Sequence, residues 1–470
     1  MSERQSAGYY RNFIRTHSKV WAFSAALSLI CTLITYPGIW YSDSYHRINL
    51  STNLLRNLYL MGTGHGAEVS EQSWLTVVPS YFMAVSKALT WQYGLYTFAQ
   101  AFAFFAATFL LVRRLGAPHP LFQQICWGLN PLIFCVSVYY EAGIGCVTGT
   151  VFLLLILLSA KTEKKGADRA IELSLLVFFS FVTYGYRANA FTMIPVFAAA
   201  ILLANDKMRK KAVMMTAMAF GISLIPISAR LLRIDTMSSA SAGFVWEILT
   251  VIQHLEPERQ SGYMEYLDEV GGPGSTAVAL HFSHEDSVNG FLWGTENLSA
   301  LNLSKKGASS IVLKKYLELM RREPKTYLQV KLEFTGKTLG IGKKLNLYEW
   351  DYNRQDLMEA FQFNDSPHRH FFLDAYSFTN GALAFFTMRP WAAYVLSILL
   401  VGLEYAIRGP QRKVYLFILL LSISYYAAYL INTQSFELRY FYPSLYLMMI
   451  PDLAIVLDCL ARFTAPAMKK

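Results

Sequence analysis

The chain has 470 residues, of which 54% are hydrophobic, 15% aromatic and 16% charged. Soluble domains carry roughly 25% charge, so this composition argues against a water-soluble globule. The formal charge of +10 would suit nucleic acid if the basic residues shared one polar domain, but they are spread over short segments between apolar runs.

A bilayer core about 30 Å thick takes about 20 apolar residues per helix. The sequence predicts ten spans, at 20–41, 93–112, 121–140, 144–160, 170–185, 190–205, 212–229, 388–407, 414–431 and 441–461. The first is too long and lacks the small-residue cleavage site of a removed signal peptide, so it reads as a retained anchor. After it, residues 42–92 mix polar side chains with the apolar run Leu75 to Leu89. That run contains Pro79 and Lys87, and the sequence predicts a helix lying at the membrane interface rather than crossing it. Residues 230–387 form a second long interruption. They contain the turn Gly271-Gly272-Pro273-Gly274 and a helical pattern near 310–335, and the sequence predicts a mainly helical domain there. The chain divides accordingly into an N-terminal membrane module (1–229), that domain, and a C-terminal membrane module (388–470).

Lys and Arg set the orientation. With the N-terminus in the cytoplasm, six segments fall on that side (1–19, 113–119, 161–169, 206–211, 408–413 and 462–470) and carry twenty basic residues. The opposite short loops hold about five: Arg47, Arg56, Lys87, Arg187 and Arg439. Both termini are therefore expected inside, with 42–92 and 230–387 exoplasmic. The positive charge belongs to topology, which removes the case for nucleic acid. The five cysteines (Cys31, Cys126, Cys135, Cys146 and Cys459) sit in apolar stretches and indicate neither a disulfide framework nor a thiolate metal site.

Charges are costly inside a bilayer, so their depth is informative. The sequence puts Asp43, His46 and Arg47 just past the first span, Glu141 at the end of the third, Arg187 and Asn189 between the fifth and sixth, and Glu437, Arg439 and Tyr440 before the last. This topology aims them all at one outer face. An acid and several cations at headgroup depth suit a lipid-linked phosphate, which the planar arginine fork binds bidentately. A carboxylate beside it can act as general base on an incoming hydroxyl. Trp40, Tyr41 and Trp74 are aromatic candidates for stacking on sugar rings. His281 to Asp286 and His368-Arg369-His370 hold metal-capable side chains, but their spacing matches no zinc or calcium motif, and no metal or other cofactor is expected.

Pro37-Gly38 to Asp43-Ser44, with Trp74-Leu75-Thr76 to Pro79, resembles the acidic first loop of GT-C-fold integral membrane glycosyltransferases. Arg187-Ala188-Asn189 is similar to an Arg-x-Asn turn of bacterial members, and Glu437-Leu438-Arg439-Tyr440 with Pro443 to their last outer loop. The resemblance implies an all-α polytopic fold in the bacterial inner membrane, a polyprenyl-phosphate-linked sugar donor, a glycan or lipid-linked acceptor, and inverting chemistry on the exoplasmic face. In that scheme Asp43 is the base, with Glu68, Glu71 or Glu141 as second-acid candidates. His46, Arg47, Trp74, Arg187, Asn189, Glu437, Arg439 and Tyr440 form the substrate-binding set. A polysaccharide polymerase or ligase using a diphosphate-linked donor would share the arginines and the large loop. A lipid or sugar transporter fits less well, because no matched repeat with midplane charges is visible.

Overall fold

A computed structural model describes residues 16–34, 42–64, 71–73, 76–90, 93–116, 141–159, 166–204, 206–236, 239–281, 307–345 and 385–464, with positions 283, 288, 301 and 303. The described chain is helical apart from one short ribbon. Its first half runs α1 (Ser18–Ile34), α2 (Ser42–Gly62), β1 (Glu71–Ser73), α3 (Val78–Thr90), α4 (Gly94–Arg114), α5 (Glu141–Ser159), α6 (Ala167–Tyr186), a 3-10 turn (Ala188–Met193), α7 (Ile194–Leu203), α8 (Met208–Leu231) and β2 (Ile234–Thr236). Then come α9 (Ser239–Gln253), short turns between 257 and 271, α10 (Ser275–His281), α11 (Ala308–Arg322), α12 (Pro324–Thr338), α13 (Pro390–Ala406), α14 (Arg412–Ile431) and α15 (Leu438–Thr464).

Five of these helices are long and apolar enough to cross a membrane: Gly94–Arg114, Ala142–Ser159, Met208–Leu231, Arg412–Ile431 and Leu438–Ala461. Each matches an expected span to within a few residues. The chain is a helical membrane protein, as expected where every backbone group within the bilayer needs a partner inside its own segment. Shorter apolar helices lie at 18–33, 188–203, 240–253 and 390–406. The expected span 121–140 lies outside the described residues.

In the bundle α4 packs on α1 and α5, α5 on α6, and α6 on α8, while α15 closes against α4, α5, α13 and α14. Small residues set the α5–α6 seam. Gly145 and Gly149, four apart on one face of α5, face the Tyr186 ring and Thr183 of α6, the close approach that glycine pairs permit in membrane helices.

Several expectations change. Region 42–92, read as a loop mixing polar residues with one apolar run, also contains the 21-residue helix α2, and the ribbon pairs β1 with β2 in parallel, Glu71 opposite Ile234. The apolar run 75–89 does form a short amphipathic helix, α3, but its Val78, Pro79, Met83 and Ala84 are buried against protein. The 310–335 pattern breaks at Pro324, whose ring disfavours helical geometry in the residue before it; Glu323 there has φ −125° and ψ 53°. The sixth span starts as the 3-10 turn, so α7 has only ten residues. Ionisable groups are also not confined to span ends. Asp452, well inside α15, accepts a hydrogen bond from Ser397 of α13 at 2.5 Å, and Glu404 is buried near the end of α13.

Helices α9, α11 and α12 form a compact unit around Trp246, which packs on Phe334 of α12 and on Phe436, just before α15. Glu247 is buried and pairs with Lys331 at 2.6 Å. Its second oxygen accepts from the Tyr316 hydroxyl at 2.7 Å. Lys331 also donates to the carbonyl of Ile431 at 2.7 Å. The Asn432 amide donates to the carbonyl of Ala240 at 3.0 Å, and Gly243 leaves room for the 432–433 turn, which a Cβ there would strike. The unit therefore grips the turn between α14 and α15.

Candidate functional site: two arginines at one tyrosine ring

The gripped turn delivers three residues that the sequence singles out. Glu437 and Arg439 are both buried and form an ion pair, Nε to Oε2, at 2.5 Å. Ser435 holds the other Glu437 oxygen with a 2.7 Å hydrogen bond. Arg439 donates to the Tyr440 hydroxyl at 3.1 Å, and its guanidinium carbon lies 4.9 Å from the centre of that ring.

Arg187 approaches the same ring from α6. The helix stops at Tyr186 because Arg187 is extended (φ −143°, ψ 121°), and the 3-10 turn follows at once. The carbonyl of Arg187 caps that turn by accepting from Ala190 N at 3.1 Å. The side chain, half-buried, reaches within 5.8 Å of the Tyr440 ring centre. A cation above an aromatic face is attracted by the ring quadrupole, by about 0.5–2 kcal/mol according to exposure. One tyrosine thus holds two guanidinium groups near each other where they would otherwise repel.

Tyrosines make the wall behind them. The Tyr429 ring of α14 lies 4.8 Å from that of Tyr440, and the hydroxyls of Tyr425 and Tyr429 stand 3.5 Å apart. The 3-10 turn that Arg187 opens packs on α14 and on α6, while α15 packs on both α5 and α14. Arg187 therefore sits where α5, α6, α14 and α15 meet. Ser424 of α14 clasps the carbonyl of Thr192, which fixes the 3-10 turn on α14.

Asn189 follows in the same turn, where its backbone carbonyl accepts from Thr192 Oγ1 at 2.7 Å. Arg47 is on α2 and only 2% exposed. Its neighbour Ile48 packs with Met83 and Tyr96, and the Tyr96 hydroxyl lies 3.4 Å from that of Tyr186. That chain of contacts brings α2 to the foot of the arginine site. Asp43 and His46 lie in the first turns of α2, and Asp43 shares a helix face with Arg47 at i,i+4. Glu141 opens α5 and Glu71 opens β1. The side chains of Asp43, His46, Glu141 and Glu71 lie outside the described residues, as do Glu68 and Trp74 altogether.

The sequence reading overlooked Tyr425, Tyr429 and Ser435. A signal for the tyrosines was present in the i,i+4 spacing of Tyr425 and Tyr429 at the end of an apolar span. Among the described residues, no three His, Cys, Asp or Glu side chains gather closely enough to hold a metal ion. His284 to Asp286, His368 and His370 lie outside them. No known family, no curated protein and no solved structure matches this chain.

Proposed function

We propose that this membrane protein is a glycosyltransferase that moves a sugar from a polyprenyl-phosphate-linked donor to a glycan or lipid-linked acceptor at the exoplasmic face. The convergence of Arg187 and Arg439 on Tyr440 is the observation that supports it most. These residues come from two helices far apart in sequence, and both lie at the end of the bundle where a lipid phosphate would sit.

In this reading the arginines take the donor phosphate. Asp43 removes the proton from the acceptor hydroxyl, whose oxygen forms a new bond to the anomeric carbon. The bond from that carbon to the phosphate oxygen breaks, and its electron pair leaves with the phosphate. Two fixed cations neutralise that developing charge and lower the barrier. Glu437 opposes the scheme at rest, because it already occupies Arg439. Donor binding then exchanges one anion for another on that guanidinium, while Ser435 retains Glu437. Glu141, His46, Arg47, Trp74 and Asn189 complete the proposed pocket, with both termini in the cytoplasm.

Binding of polyprenyl phosphate to the purified protein in lipid nanodiscs, read by native mass spectrometry, tests this. A hydrogen bond to a charged group contributes about 1.5–3 kcal/mol, so Arg187→Ala or Arg439→Ala should each weaken binding roughly 10- to 100-fold. Arg187→Lys should recover part of the loss, because the charge returns without the fork. Unchanged binding in Arg187→Ala, together with a harmless Arg439→Ala once Glu437 is also Ala, would overturn the assignment.

A further inference from the structure

Helix α12 has two faces of opposite use. Val330, Phe334 and Thr338 point into the unit built on α9 and are buried. The opposite face carries Leu328, Leu332, Thr335, Gly336 and Leu339, spaced at three and four residues. Leu328 is 57% exposed and Leu332 64%. Large leucines held outward on a regular helix have no reason to face water when the other side already fills the core.

The helix ends in a Schellman motif. Gly340 at φ 71° donates to the carbonyl of Lys337 at 2.9 Å, and Ile341 N donates to that of Gly336 at 2.8 Å. This folds Ile341, 57% exposed, back beside Gly336 on the leucine face. Further hydrogen bonds tie the helix end to the bundle: Trp391 N donates to the carbonyl of Leu339 at 3.1 Å, and the Tyr426 hydroxyl to that of Thr338 at 2.6 Å. Trp391 begins α13, and its ring packs edge-on against Phe385, which packs on Phe386. All three rings are exposed. Along α13 the exposed row continues through Val395, Leu399 and Leu403. The leucine face of α12 thus meets the outward apolar row of α13 across an aromatic junction of the kind found at headgroup depth, where Arg389 lies over the Phe385 ring and donates to the carbonyl of Gly340.

We propose that α12 lies along the membrane surface, with Leu328, Leu332 and Ile341 inserted among the lipids. The occupant of this face is the bilayer itself, in continuity with the lipid that covers α13. Lys325, exposed on the same face, can extend its stem over the acyl chains and keep its ammonium among the phosphates. The helix is thereby a float for the α9–α12 unit. It holds the α14–α15 turn, and with it Arg439, at a fixed depth through Lys331 and Glu247. The inference depends on the membrane-facing rows and stands whether or not the chain transfers a sugar.

The test uses the full chain in phosphatidylcholine nanodiscs. A photoreactive benzoylphenylalanine replaces Leu328, Leu332, Ile341 or, as the water-side reference, Gly262, an exposed position with nothing within 4 Å of a Cβ. After irradiation, intact-mass analysis counts lipid adducts on folded monomer isolated by gel filtration. The expected result is a phospholipid adduct at the first three positions, several-fold more abundant than at Gly262. A covalent dimer at Leu332, an absence of lipid adducts at all three positions, or equal adducts at Gly262 would each overturn the proposal.

Discussion

The ring of Tyr186 occupies the space where Gly145 would carry a side chain. Tyr186 immediately precedes Arg187, so the bareness of Gly145 on α5 helps to set where an arginine of the candidate site leaves α6. Gly145→Ala must push the ring away, and overpacking of this kind costs about 1–3 kcal/mol. Thermal unfolding in detergent should show that loss, with weaker polyprenyl phosphate binding. Gly402→Ala, on α13 where nothing lies within 4 Å, should leave stability unchanged or raise it by up to about 1 kcal/mol.

The Glu247–Lys331 pair predicts a pronounced non-additivity. Lys331→Met strands a buried carboxylate, for which about 3–5 kcal/mol is typical. Glu247→Gln strands the ammonium to a lesser degree, because Lys331 is more exposed and keeps the Ile431 carbonyl. The double variant should recover most of the loss, since no uncompensated charge remains. Limited proteolysis within 239–345 provides the measurement, and additive losses would count against the pair as the clamp on the α14–α15 turn.

Asp268 should make the same unit sensitive to acid. Burial alone would raise its carboxyl, but hydrogen bonds from Thr276 (hydroxyl and amide), the Gly274 amide and the Ser275 hydroxyl outweigh this and hold it below its ordinary 3.8. A lowered folded value contributes stability that is present above the unfolded value and fades as pH falls through the folded one. Protection of the amides across 268–281, taken relative to their intrinsic exchange rates, should therefore fall below about pH 4, and Asp268→Asn should flatten that dependence while lowering protection at pH 7. An identical profile in the two proteins would dismiss the linkage.

Asp43→Asn separates chemistry from binding. The amide keeps the size of the carboxylate and cannot take a proton, and losing a general base typically costs about 10²–10⁴-fold in rate. Sugar transfer by the purified variant should fall by that factor while polyprenyl phosphate binding stays within twofold. Near-normal turnover would move the base to Glu68, Glu71 or Glu141.

Much of the membrane bundle was legible because length and apolar content suffice for it: the spans at 93–112, 144–160, 212–229, 414–431 and 441–461 each coincide with a helix. The α9 helix was not legible. Its Trp246, Leu249 and Ile252 are apolar, but fifteen residues fall short of a span, and its burial depends on Phe334 and Phe436, which are remote in sequence. At the site, the placement of Arg187 and Arg439 at helix ends could be read from their positions beside spans. Their meeting at Tyr440 could not, because it requires the turn between α14 and α15 to be gripped by α9 and α12. The local pair of Glu437 with Arg439 was readable from spacing alone, and the structure contains it. Asp452 shows the limit of a depth rule: a carboxyl can lie well within a helix when a hydroxyl such as that of Ser397 faces it.

The parallel ribbon also has a meaning in time. Glu71–Ser73 finds its partner only when Ile234–Thr236 has been made, roughly 160 residues later, which at about 5–20 residues per second is on the order of 8–30 s of translation. Through that interval α4 to α8 can enter the membrane while the strand that follows α2 still waits for its neighbour. A nascent chain halted before residue 234 would carry Asp43 and Arg47 on a helix not yet anchored by the ribbon, so that helix is placed only when the second strand emerges, and the site closes later still, once Arg439 and Tyr440 have been made.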